Sequence, residues 1–183
     1  QGTLYGRNSM GGIVNMYTLS PLNYQGTRVS LTAGNYGMIQ AKASYYTKLG
    51  EKAGFSAGGS YGKHDGFYKN DFTSENVDVE KTGGARMKFA WTPLQILKLE
   101  YATNFDYVDQ GAFPYGLYSA ETKSVANPSL NDLSSYKRKT LNNGISTKYF
   151  YQDLILTFSL AHQYFDDQMN IDQDFSPLAI FTL

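Results

Sequence analysis

The chain has 183 residues, a formal net charge of zero and no cysteine, which excludes a disulfide framework and a thiolate metal site and argues against a nucleic-acid partner. Sixteen Tyr and eleven Phe beside a single Trp, together with eighteen Gly, point to many strands and tight turns rather than helices. No apolar run reaches the length a membrane-spanning helix needs, yet the negative mean hydropathy does not exclude a membrane barrel, because a transmembrane strand is apolar on one face only.

In chain order, the first eighteen residues carry the most specific signal. A short strand ends at Tyr5, a glycine-punctuated turn runs from Gly6 to Gly12, and Ile13 to Thr18 alternates apolar and polar as a second strand. The spacing of Gly6 and Gly11 invites comparison with a phosphate-binding loop, but that loop needs Lys and then Ser or Thr where this chain has Gly12 and Ile13.

The run Gln1, Gly2, Thr3, Tyr5, Gly6, then Gly11, Gly12, Val14, Asn15 and Thr18 resembles the end of the plug domain of TonB-dependent outer-membrane receptors. It departs from the usual pattern at Leu19, where Lys is common. The resemblance implies a plug motif made by Gln1, Gly2, Tyr5, Gly6, Arg7, Gly11, Gly12 and Asn15, with Arg7 as the plug-side charge. It further implies a location in the Gram-negative outer membrane and active uptake of a scarce nutrient, in the first place a ferric siderophore or related iron complex. The partners would be TonB, reached through a segment upstream of this chain, the outer-membrane lipid and the iron complex; no cofactor is implied. The family's remaining plug would also lie upstream, so the chain is expected to be a fragment: the end of a plug over 1–20, a linker over 21–26 and the first part of a barrel over 27–183. An oligosaccharide or peptide importer of the same architecture, or a passive porin or adhesin-type barrel, remains open.

After the linker, seven strands are predicted from period-two alternation. The first, Thr27 to Ala33, sets Val29, Leu31 and Ala33 against Arg28, Ser30 and Thr32, and a turn at Asn35 leads to the second, Ile39 to Lys48. The third alternates Phe55, Ala57, Gly59 and Tyr61 with small polar residues and is followed by a polar loop from Lys63 to Thr82. The fourth carries Ala85, Met87, Phe89 and Trp91; the fifth runs from Leu97 to Tyr107. Val108 to Lys139 has no sustained period and reads as a loop of about thirty residues, a length that in compact domains is functional or disordered. The sixth strand, Thr140 to Tyr151, and the seventh, Leu154 to Phe165, flank a tight turn, and the acidic run from Asp166 begins another loop.

Turns after strands two, four and six are short and those after three, five and seven are long, the asymmetry of an outer-membrane barrel with its periplasmic side at the short turns. The fold expected is therefore all-β, an antiparallel transmembrane β-barrel of which these strands are part, the whole having roughly 22 strands. Trp91, Tyr149 and Tyr151 would form an interfacial girdle, and Arg28, Lys42, Arg86, Lys88, Lys98 and Glu100 would line a polar lumen. A soluble sandwich or lipocalin-like barrel would alternate in the same way with its apolar side inward. No catalytic constellation and no metal site stands out, His64 and His162 being read as polar side chains near strand ends. Ligand contact is expected from loop aromatics on the long-loop side: Phe67, Tyr68 and Phe72 in the shorter loop, Phe113, Tyr115 and Tyr118 in the longer.

Overall fold

Alternating side chains demand a sheet with two dissimilar faces, and the computed structural model, which describes residues 18–178, contains one. Its strands are β1 (Gly26–Ala33), β2 (Ile39–Leu49), β3 (Ala53–His64), β4 (Glu80–Leu94), β5 (Leu97–Gly111), β6 (Tyr118–Ser119), β7 (Ser124–Val125), β8 (Ser135–Tyr151) and β9 (Leu154–Asn170). Seven of them form one antiparallel sheet in the order β1-β2-β3-β4-β5-β8-β9, while β6 and β7 pair as a small separate hairpin. The described residues contain no helix. Each long strand is bonded to its neighbour in sequence, so among the described residues β1 and β9 are the edges of an open meander.

The register puts the expected apolar positions on one face. Val29, Ala43, Gly59, Ala85, Phe105, Leu141 and Tyr164 lie in one row across all seven strands, and Phe55, Phe89, Tyr101, Ile145 and Leu160 in another. Among the described residues nothing covers this face: Leu31 is 77% exposed, Val29 66% and Phe158 64%. The opposite face carries the row Arg28, Ser44, Gly58, Arg86, Asn104, Asn142 and Gln163. It is the better buried of the two, with Ser44, Tyr46, Ser56 and Ala90 all buried. One row interrupts the apolar face with Thr103, Asn143 and His162, and there the Tyr101 hydroxyl donates to Asn143 Oδ1 at 3.0 Å.

Residues 18–25 account for part of that burial. Pro21 is fully buried, its carbonyl accepts from Gln25 Nε2 at 3.1 Å, and Tyr24 meets Tyr46 edge to face at 5.1 Å. The segment passes so close to β3 that a Cβ on Gly54 would lie 2.7 Å from the Pro21 carbonyl carbon, a position open only to glycine. Lys88 Nζ reaches Thr18 Oγ1 at 3.4 Å. The expected linker is thus a packed stretch on the polar face.

Three expected boundaries are corrected. The loop over 63–82 contracts to 65–79, the loop over 108–139 contracts to 112–134 and contains the β6–β7 hairpin, and the acidic run at Asp166 and Asp167 lies within β9, which continues to Asn170. In each case backbone pairing outlasts the side-chain alternation. Asp109 faces Lys137 and Asp167 faces Arg138, so charged pairs replace apolar ones there and the alternation lapses. His162 is corrected as well: it lies in the middle of β9, whereas His64 does end β3. Pro93 sits inside β4 rather than in the turn, at a register shift between Trp91 and Leu94 of the kind that tolerates a missing donor.

Candidate ligand cleft and polar wall

On the long-loop side, segments 65–79, 112–134 and 171–178 interlock into a cap. Its centre is Asn70, wholly buried and fully bonded. Asn70 Nδ2 donates to the Leu130 carbonyl at 2.8 Å, its Oδ1 accepts from the amides of Leu130 at 3.0 Å and Phe72 at 3.1 Å, and its backbone amide donates to the Glu75 carbonyl. Val77, Ala112, Pro128 and Leu130 are buried around it. The Asp71 amide donates to the Pro128 carbonyl, the Ala112 amide to the Ser134 carbonyl, and the Asn131 amide to the Ser176 carbonyl, so each segment is tied to another. Asn and Asp side chains suit this work, since they substitute for backbone partners where no ladder exists.

The cap leaves a cleft of about 680 Å³ lined by Asp71, Tyr115, Leu117, Asn127, Phe175 and Pro177 among others. Tyr115 stacks near Phe113, centroids 6.0 Å apart, and meets Phe175 edge to face at 5.0 Å. Phe113 holds a φ of 55°, a conformation an ordinary residue adopts only when its surroundings impose it. Asn127 Nδ2 donates to Asp71 Oδ1 at 3.0 Å, so one carboxylate stands oriented beside an aromatic wall. A concave, mostly apolar site with few fixed polar groups is the usual form of a small-ligand pocket.

The expected ligand residues divide. Tyr115 lines this cleft with Phe113 stacked beside it, and Tyr118 stands exposed on β6. Phe67 belongs to another cluster, against Tyr36 at 4.8 Å and His64 at 4.9 Å, while Tyr68 and Phe72 project outward. Phe175, Asp71 and Asn127 were not singled out from sequence, and only their turn-rich, acidic neighbourhoods hint at them. Gln1, Gly2, Tyr5, Gly6, Arg7, Gly11, Gly12 and Asn15 lie outside the described residues. Among the described residues no group of three or more His, Asp or Glu side chains could hold a metal ion.

In the same cap, Asp172 is almost wholly buried, its amide donating to Ser134 Oγ at 3.0 Å. Burial, reinforced by the nearby charges of Asp174 and Asp132, raises its carboxyl above the ordinary aspartate value.

The expected lumen residues share the polar face. Glu100 lies 3.1 Å from Lys98 Nζ and 3.6 Å from Lys88 Nζ. Arg28 donates from Nε to the Tyr24 hydroxyl at 3.1 Å and lies over that ring at 4.7 Å. A second cleft of about 480 Å³, lined by Thr18, Tyr46, Arg86, Lys88, Asn104 and Asn142 among others, opens where residues 18 and 19 cross the wall. In comparisons with known proteins no family model matches this chain, and no solved structure matches it significantly.

Proposed function

We propose that this chain is part of the wall of an outer-membrane β-barrel that takes up a scarce nutrient, in the first place an iron complex, with energy delivered through TonB. The observation that carries the membrane half of this reading is the uncovered apolar face. On β8 its positions run from Leu141 to Tyr151, close to the roughly 9–11 residues a tilted strand needs to cross a bilayer. In water such a face would be an aggregation hazard, whereas in lipid it is the expected outer surface. A soluble sandwich or lipocalin-like barrel, which would turn the same residues inward, is disfavoured because the polar face is the one that gains cover. The uptake half rests on the plug-like run at Gln1 to Thr18 and on the aromatic cleft at the long-loop end.

The two free edges are consistent with incorporation into a larger barrel, since hydrocarbon offers no partners to an unpaired strand edge. The cleft would bind a partly apolar ligand through Tyr115 and Phe175, with Asp71 and Asn127 supplying polar contacts. The test is Tyr115→Ala combined with Phe175→Ala in the full-length protein. Uptake of a ferric chelate under iron limitation should fall about tenfold at unchanged surface abundance, the loss of two ring contacts. Unchanged uptake at unchanged abundance would remove the cleft from the ligand path.

A further inference from the structure

The cap is charged unlike the rest of the chain. Segments 65–79, 112–134 and 171–178 hold eight carboxylates (Asp65, Asp71, Glu75, Asp78, Glu121, Asp132, Asp172 and Asp174) against Lys69 and Lys123, a formal charge of −6. Because the whole chain is neutral, its other residues together carry +6. A surface of one sign around a cleft concentrates ligands of the opposite sign and turns away those of its own. A negatively charged complex would therefore approach this end of the molecule against the field.

The aromatic cleft repeats this bias at contact range. Among the described residues that line it, Asp71 alone is charged, for neither Lys69 nor Lys123 reaches its walls. The Asp71 carboxylate is positioned rather than loose: Asn127 Nδ2 donates to Oδ1 at 3.0 Å, and the Asp71 amide is tied to the carbonyl of the buried Pro128. Among the described residues Asp71 makes no ion pair, whereas the Asp78 carboxylate is taken up by the amides of Phe67 and Tyr68. The rings of Tyr115 and Phe175 complete the wall, and aromatic faces carry a negative potential that favours a cation and not an anion. We infer that the cleft selects a positively charged iron complex, a ferric chelate with a free protonated amine, its ammonium group on Asp71 and its apolar body against Tyr115 and Phe175. This rests on the uptake reading above and narrows the substrate to one charge class.

The test measures binding to the full-length protein in detergent, by quenching of its intrinsic fluorescence, of one linear ferric trihydroxamate in three forms. With its terminal amine free, acetylated or succinylated, the same chelate carries one positive charge, none or one negative charge. Asp71 is exposed, so its contact with an ammonium group is modest, and the amine form should bind about fivefold tighter than the acetylated one, with the succinylated form weakest. The order should flatten at about 1 M salt, where the screening length falls to about 3 Å. Asp71→Asn should bring the amine and acetylated forms to within about twofold of each other, and Asp71→Glu should keep them apart. Equal wild-type affinity for the three forms, or tightest binding of the succinylated one, overturns the charge selection and leaves the uptake reading standing. An Asp71→Asn protein that keeps the wild-type preference overturns the assignment to Asp71. If that variant does not fold, the wild-type order and its salt dependence decide. Failure of the wild type to bind any of the three forms strikes the iron-complex reading and the charge selection with it.

Discussion

The sheet and the cap arrange their apolar residues in opposite ways. In the cap, Val77 and Leu130 are buried and Leu130 is bonded to a buried Asn70, as in any water-soluble core. In the sheet the order is inverted: Leu156, Phe158 and Leu160 stand more than half exposed on one face, while Ser44 and Ser56 are buried on the other. One chain of neutral net charge thus keeps two opposite hydrophobic arrangements a few residues apart, with the change at the row of Lys63, Lys81 and Asp109. Exposure of an apolar residue therefore means something different in each region. In the cap it marks a cleft, and in the sheet, on the reading proposed above, it would mark contact with lipid.

The sharpest way to break this contrast is to put a charge on each face of β9. Phe158→Arg should destabilise the full-length protein by about 2–4 kcal/mol on refolding into lipid if the position is at the midplane, and Ser159→Arg, one residue on, should be far milder. Equal penalties would mean that both faces meet the same medium. In the cap the informative change is instead the loss of a polar group. Asn70→Ala strips the Leu130 amide and carbonyl of their partners and should cost about 1–3 kcal/mol. That loss should be confined to 65–79, 112–134 and 171–178, seen as faster hydrogen exchange there with the sheet amides unchanged. Exchange rising equally in β5 and β8 would show that cap and sheet are one cooperative unit.

The smallest effect concerns pH. Because the folded Asp172 carboxyl is raised, its ionisation opposes packing of the cap; the associated stability is present below the ordinary value of 3.8 and is lost as pH rises through the raised one. Asp172→Asn should make protection of the Ala112 and Leu130 amides less dependent on pH over that interval, with its gain at neutral pH. A wild-type cap that loosens on acidification through the same interval would reverse the assigned sign.

How much of this was legible in sequence follows the same division. The seven long strands and the residues on each face could be read because a face against a uniform medium imposes alternation, as Leu97, Leu99 and Tyr101 show on β5. Where β5 and β8 continue past that band to Gly111 and back from Ser135, the facing pairs Val108 and Arg138, Asp109 and Lys137, and Gln110 and Tyr136 follow no apolar period, so the strand ends were missed. The cap could not be read at all. Asn70 is separated from Leu130 by sixty residues, and Phe175 reaches Tyr115 from the far end of the described chain, so neither contact leaves a local trace. Phe113 and Tyr115 could be suspected from residue type alone, and the meeting of Tyr115 with Phe175 at one cleft could not.

The most direct test of the two-solvent account is a nitroxide scan along β9, with single cysteines placed in turn from Leu156 to Gln163 of a cysteine-free full-length protein in lipid vesicles. The account predicts accessibility to oxygen, which concentrates in lipid, at Leu156, Phe158 and Leu160, and accessibility to a water-soluble nickel complex at Thr157, Ser159 and Ala161, alternating with period two. Nickel accessibility at both sets would contradict it, as would alternation in the opposite phase.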